Sequence, residues 1–155
     1  MPNQYTFTEL PNLVGHEMGV SDWLEIDQHR VDLFAEATGD NQWIHTDVER
    51  ATREIGGPIA HGYLTVSLIP WLARQAFQVS GVGRVVNYGS NKVRFSNVVR
   101  VGKRVRLRQS MQSCEARAGG LFITWDATVE IEGERRPACV AETITLVYGE
   151  GARGT

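Results

Sequence analysis

The chain has 155 residues, about the size of one ordinary domain, long enough for one substantial core and too short for two. With 42% hydrophobic residues, 22% charged residues and a formal net charge of −2, it has no global attraction for nucleic acid or anionic lipid, and neither partner is expected. The start, Met1-Pro2-Asn3-Gln4-Tyr5, lacks the basic and apolar regions of a secretory signal. The longest apolar stretch, Tyr63 to Ala73, is broken by Thr65, Ser67 and Pro70 and falls short of the roughly 20 residues that span a bilayer.

Residues 1–148 read as a single domain, and the Gly-rich segment 149–155 as a frayed end. The first half is helical and rich in loops, whereas the second is a run of strands, the order of an α+β fold. Asp27 is an N-cap for a short amphipathic helix over residues 28–38, with Val31, Phe34, Ala35 and Thr38 at helical spacing and Gly39 as its stop. Thr46-Asp-Val-Glu49 has the form of a capping box, so a second helix is expected from Thr46 to the punctuation at Gly56-Gly57-Pro58. Asp40 to His45 then lies in the connection between the two helices.

A third helix is predicted from Gly62 to Phe77, apolar around so much of its circumference that it must be buried. Pro70 should kink or split it, because proline removes one backbone bond and clashes with the preceding turn. After Gly81 the period falls towards two. Residues 85–88, 92–95, 104–114, 122–131 and 139–148 are rich in β-branched and aromatic residues, and turns at Ala118-Gly-Gly120 and Glu132-Gly-Glu134 separate the last three. An antiparallel sheet with long hairpins, wrapped around a helix, is the expected outcome. Cys114 and Cys139 sit within strands at a spacing that suits neither a disulfide framework nor a metal site, and read as buried thiols in a reducing cytoplasm.

Asp40 and His45 are the sharpest candidates for chemistry. In a loop that leaves one helix and enters another, both side chains can fold into one pocket and share a water, with the histidine taking or returning a proton near neutral pH. Spacing alone favours the plainer reading, a turn aspartate after Gly39 and a packed histidine. Gly62, at the head of the buried helix, can present free N–H groups to an oxygen that becomes negative, or can simply serve a tight turn. His61 beside it reads as structural. From Arg84 to Arg108 there are eight of the chain's 16 basic residues and no Asp or Glu. That run suits either a rim for a phosphorylated ligand or the ordinary protection of sheet edges.

The wording of three segments adds to this reading. Phe34-Ala-Glu-Ala-Thr-Gly-Asp40-Asn-Gln-Trp-Ile-His45 resembles the motif of the MaoC-like, (R)-specific enoyl-CoA hydratase family, whose core is Gly-Asp-x-Asn-Pro-aliphatic-His. Gly39, Asp40, Ile44 and His45 match it, while Gln42 and Trp43 replace its Asn and Pro in a way similar to a NodN-like subgroup. Gly57-Pro-Ile-Ala-His61-Gly62-Tyr-Leu resembles the family's entry into the central helix. Val86-Asn87-Tyr88-Gly89-Ser-Asn91-Lys92-Val-Arg94-Phe95 is similar to its substrate-lining strand.

The resemblance implies a hotdog fold, an antiparallel sheet around a long central helix, and a hydro-lyase of fatty acid metabolism. Such an enzyme adds water to a trans-2-enoyl-CoA to give a (3R)-hydroxyacyl-CoA, or runs the reverse dehydration. It implies Asp40, His45 and Gly62 as the catalytic residues. It places Gln42, Trp43, Ala60, His61, Tyr63, Val86, Asn87, Tyr88, Gly89, Asn91 and Asn97 along the substrate. No metal or separate cofactor is implied, since coenzyme A belongs to the substrate, and the subunits are expected to form a homodimer. A hotdog acyl-CoA thioesterase and a non-catalytic acyl-CoA-binding protein are the alternatives. The first is disfavoured because residues 62–77 contain no Asp or Glu to direct water at a carbonyl.

Overall fold

The computed structural model describes Met1–Arg153. Its strands are β1 (Asn3–Thr6), β2 (Glu17–Val20), β3 (Leu24–Glu25), β4 (Phe77–Ser80), β5 (Val82–Arg94), β6 (Arg104–Arg117), β7 (Gly120–Ile131) and β8 (Cys139–Gly149). Five helices lie between β3 and β4: α1 (Gln28–Thr38), α2 (Trp43–Thr46), α3 (Val48–Ile55), α4 (Gly62–Ser67) and α5 (Ile69–Ala76). The main sheet runs β2-β6-β7-β8-β5, with β3 also on β6, and all of its pairings are antiparallel. A separate pair joins β1 to β4 in parallel. This is the expected α+β arrangement of a sheet curled around a helix.

The helix signals translate closely. Asp27 caps α1 by accepting from the Arg30 N–H, and Gly39 ends it in the left-handed region at φ 79°. The central helix divides at Leu68, which places Pro70 in the first turn of α5, where its missing N–H costs nothing. The second helix departs from expectation. Its cap is Asp47, whose carboxylate accepts from the Arg50 N–H at 3.0 Å, while Thr46 donates back to the Asn41 and Gln42 carbonyls. There is no capping box at Thr46, and residues 43–46 form the separate short turn α2.

The two segments read as separate strands before Phe95 form one long strand, β5, with register shifts against β8. Phe77 begins β4 rather than ending the helix. The short N-terminal strands carry too little periodicity to be read locally and depend on β6 and β4 for their partners. At the other end, Gly149 closes β8 and the Glu150 N–H donates to the Gly81 carbonyl at 2.9 Å; Gly154 and Thr155 lie outside the described residues.

One face of α4 and α5 delivers Leu64, Leu68, Ile69 and Leu72 into a core made with Val105, Leu107, Val129 and Ala141 of the sheet. Removing this apolar surface from water is the main force holding helix to sheet. A second cluster, Leu10, Met18, Met111, Ile123, Trp125 and Val147, fills the other end. Cys139 is buried in the first core, and burial pushes its thiol up to about 11, while Cys114 is half-buried with its thiol raised for the same reason. Both are free, as an unpaired spacing predicts.

The basic run from Arg84 to Arg108 is largely neutralised by acids from other parts of the chain. Lys92 pairs with Glu142, Lys103 with Glu134, Arg104 with Glu132, Arg106 with Glu130, and Arg108 with both Glu17 and Glu130. Arg100 donates to the Gly57 carbonyl. Apparent charge along the sequence was therefore a poor guide to surface potential, because cross-strand neighbours supply the counter-charges.

Candidate active site

The loop after α1 is shaped by its own backbone. The Asn41 N–H donates to the Gly39 carbonyl and the His45 N–H to Gln42, so the chain tightens immediately into α2. From the other side, Pro58 to Ala60 pairs with Val99 to Val101: the Ala60 N–H donates to the Val99 carbonyl at 2.8 Å and the Val101 N–H to Pro58 at 3.0 Å. The Ile59 N–H donates to the Ile44 carbonyl at 2.9 Å, tying this segment to α2. Gln28 of α1 adds a side-chain bond to the His45 carbonyl at 2.8 Å. Three stretches distant in sequence thus fix one small region.

Within it, Asp40, His45 and His61 come together, with one donor atom from each lying within 4.8 Å of the others. His45 is buried, and its Nδ1 lies 2.6 Å from the Ile59 carbonyl. A carbonyl only accepts, so Nδ1 carries the proton and Nε2 keeps its lone pair. Nε2 has no hydrogen-bond partner among the described residues and is available to a water. The Asp40 carboxylate is half-buried and accepts a long bond from Gln42 Nε2, at 3.3 Å.

His61 has a larger part in the geometry than a simple turn residue. Its ring stacks on that of His45 with centroids 3.8 Å apart and packs against Phe34 at 4.9 Å. Its Nε2 donates to the Asp40 main-chain carbonyl at 2.9 Å. The remaining nitrogen, Nδ1, is sealed from solvent and unpartnered. These three residues are the one potential metal-ligand group among the described residues, but with Nε2 engaged and Nδ1 sealed, His61 offers a cation no accessible lone pair. A metal could reach only Asp40 and His45.

Gly62 is the first residue of α4, and among the described residues its N–H donates to no carbonyl. A Cβ here would meet three ring carbons of Phe95 at 3.0 Å. The Phe95 ring therefore packs where a side chain would stand, and the Gly62 N–H is left without an acceptor at the positive end of a helix. Tyr63 beside it is largely exposed, with its ring edge-on to Phe95.

The other residues implied for substrate contact are dispersed. Trp43 lies under the Arg50 guanidinium at 4.2 Å, Ala60 is buried in the bridge to Val99, and Asn97 donates to the Arg136 carbonyl at 3.3 Å. Asn87 and Gly89 line a cavity of about 1040 Å³ between α4–α5 and the sheet, whereas Val86, Tyr88 and Asn91 of β5 do not. Val86 and Tyr88 are exposed on the strand. The cavity reaches α4 at Val66 and Ser67, and neither Asp40, His45 nor Gly62 lines it. Gln28 shapes the site without any local signal, since it acts only through a segment remote from it in sequence, whereas Ile59 and Phe95 fall inside the segments whose wording carries the resemblance.

Residues 9–130 match the model of the MaoC like domain. The chain belongs to this family. The 3-hydroxyacyl-thioester dehydratase Z of Mycobacterium tuberculosis is 49% identical over 138 residues, covering 88% of this chain and 91% of the relative. Nodulation protein N of Rhizobium leguminosarum bv. viciae is 40% identical over 154 residues, covering 94% and 92%. Among solved structures, the (R)-hydratase from A. caviae involved in PHA biosynthesis superposes with a TM-score of 0.69 at 22% identity, covering 85% of this chain and 94% of that one. A protein from Archaeoglobus fulgius described as a monoamine oxidase regulatory protein superposes at 0.74 and 21%, covering 96% and 97%. Likeness at such low identity shows the fold, and the MaoC-like chain is a hotdog domain.

Proposed function

We propose that this MaoC-like chain is an (R)-specific enoyl-CoA hydratase, adding water to a trans-2-enoyl-CoA to give a (3R)-hydroxyacyl-CoA, or catalysing the reverse dehydration. The observation that carries the reading is the meeting of the Asp40 carboxylate with a His45 whose Nε2 is left free by the Nδ1–Ile59 bond. The thioester carbonyl accepts from the Gly62 N–H, which draws electron density from the β-carbon. Water held between Asp40 and His45 attacks that carbon, one of the pair takes its proton, and a proton is delivered to the α-carbon. Both groups on one face make the addition syn. The acyl chain follows α4–α5 into the cavity. α4 and α5 carry no Asp or Glu, which favours addition over thioester cleavage.

The 49% identical relative is named a 3-hydroxyacyl-thioester dehydratase, in keeping with this chemistry. The test is the absorbance of crotonyl-CoA on addition of enzyme. Asp40→Asn and His45→Gln variants that keep the wild-type circular dichroism should lose activity by about 10²–10⁴-fold, the usual contribution of a positioned acid or base. Hydration at the wild-type rate in both would refute the assignment.

We further propose a homodimer joined through β5. This thirteen-residue strand is an edge of the sheet with Val85 and Tyr88 exposed at 57% and 55%, and long open edges of this kind invite a second copy. Sedimentation equilibrium tests it; a monomer at micromolar concentration refutes it. Among the described residues no helix is long and apolar enough to cross a membrane. Two free thiols support a reducing, cytoplasmic setting.

A further inference from the structure

The inward face of β6 presents Val105, Leu107, Gln109 and Met111 to the interior, every one of them at least 96% buried. Gln109 is the single polar side chain in that row. Its amide makes no hydrogen bond among the described residues, and its Oε1 is both unpartnered and sealed from solvent. A buried amide left in this state is destabilising, and a leucine or methionine like its neighbours would fill the position without that cost. Gln109 also lines the cavity between α4–α5 and the sheet.

A second polar group, Thr145, lies in the same wall, two strands away and four residues along β8 from Ala141, which is in register with Gln109. Thr145 Oγ1 accepts from the Trp125 indole N–H at 2.8 Å, which leaves the hydroxyl hydrogen free to be donated. Both Trp125 and Thr145 line the cavity. The buried and half-buried part of the wall is mostly aliphatic and aromatic, with Leu10, Ile69, Ala73, Phe77 and Val147 among its members. The outer lining is polar and exposed, with Ser67, Arg74, Gln78, Arg84, Asn87 and Ser90, whereas Gln109 is the one fully buried polar side chain of the lining, so a ligand that fills the apolar interior must still offer it a partner.

We propose that Gln109 is a specificity residue for acyl chains that carry a hydroxyl group part-way along an otherwise apolar tail. The inference rests on the reading that an acyl thioester lies along α4–α5 from Gly62. The cavity follows these helices from Val66 to Ala73, about 6–16 Å beyond Gly62 at the helical rise. Gln109, inside this cavity, is met by the middle or distal carbons of a medium-length chain, and a short acyl group does not reach it. A hydroxyl both donates and accepts, so it can satisfy the amide in either orientation. A site built to hydrogen-bond a substrate hydroxyl rejects the analogue lacking it, because its own polar group is then left unpaired.

The test uses saturated acyl-CoAs, which cannot be hydrated, so that binding is measured apart from turnover. Decanoyl-CoA and its isomers hydroxylated singly at C6 to C10 are titrated into the wild-type protein by calorimetry, with Gln109→Leu and Gln109→Met alongside. Near-UV circular dichroism of the tryptophans verifies the fold of each variant. At least one hydroxylated isomer should bind the wild type about tenfold or more tightly than decanoyl-CoA, and the variants should abolish or reverse that order. No preference for any hydroxylated isomer in the wild type overturns the proposal, whether or not the variants fold. A preference that survives in a folded variant overturns it as well. Failure to hydrate crotonyl-CoA, by contrast, would strike the catalytic reading and leave the binding order to decide the role of Gln109.

Discussion

Replacing Gly62 with alanine separates the stability of the central helix from access to its N-terminus. The added Cβ would stand 3.0 Å from three carbons of the Phe95 ring, so the ring must give by a few tenths of an ångström. Phe95 is 45% exposed and held by an edge contact with Tyr63, so it can move at little cost. Alanine is also the better helix former, by up to about 1 kcal/mol in an interior position and less at a first turn. These effects oppose one another, and the net change in unfolding free energy should lie within about 1 kcal/mol of zero.

Catalysis should respond differently. The methyl group and the Phe95 ring it pushes aside crowd the space beside the Gly62 N–H where the proposed thioester oxygen would bind, and a shift on the order of 1 Å in a reacting group costs roughly 10²-fold in rate. Urea titration and crotonyl-CoA hydration, measured on the same preparation, should therefore show a near-normal midpoint with kcat/KM reduced by about 10–100-fold. A variant as active as the wild type would show that the thioester oxygen does not use this N–H.

Two further substitutions probe the frame around the site. At Gly19 a Cβ would fall 2.4 Å from the main-chain oxygen of Ala76; backbone cannot swing aside as a side chain can, so Gly19→Ala should destabilise by about 2–3 kcal/mol, seen as a lower urea midpoint, and a wild-type midpoint would contradict the close packing of β2 on α5. At Glu130, burial acts to raise the carboxyl, but hydrogen bonds and charge from Arg106 and Arg108 outweigh it and hold it below the usual carboxylate value. A lowered folded value means that this stabilisation is present at neutral pH and is lost as the pH falls through the acid range. Glu130→Gln should cost about 1 kcal/mol at pH 7 and progressively less below the ordinary carboxylate range; a cost that does not change with pH would mean that the ion pairs contribute nothing.

Features that depend on neighbours along the chain are legible in the sequence alone. The Asp27 cap and the Gly39 stop bound α1 because a helix end needs local acceptors and a residue that tolerates positive φ. Pro70 divided the central helix because its effect lies within one turn of its own position. Asp40 and His45 were legible as a pair because a short loop keeps their backbones close whatever the rest of the chain does.

Only the tertiary structure decided the properties that depend on which remote segments meet. The sequence marks His61 as structural without saying what it holds, and the return of Pro58–Ala60 against Val99–Val101 brings its ring onto His45 and its Nε2 to the Asp40 carbonyl. Five of the eight basic residues of the run are paired with Glu17, Glu130, Glu132, Glu134 and Glu142, which strand pairing and its turns set beside them. Nothing local marks Gln109; its isolation exists only once sheet and helix close over it. Caps, breakers and periodicity are short-range steric and hydrogen-bonding effects and can be read from a few adjacent residues, whereas burial, tautomer and charge pairing belong to contacts formed only when distant parts of the chain have folded together.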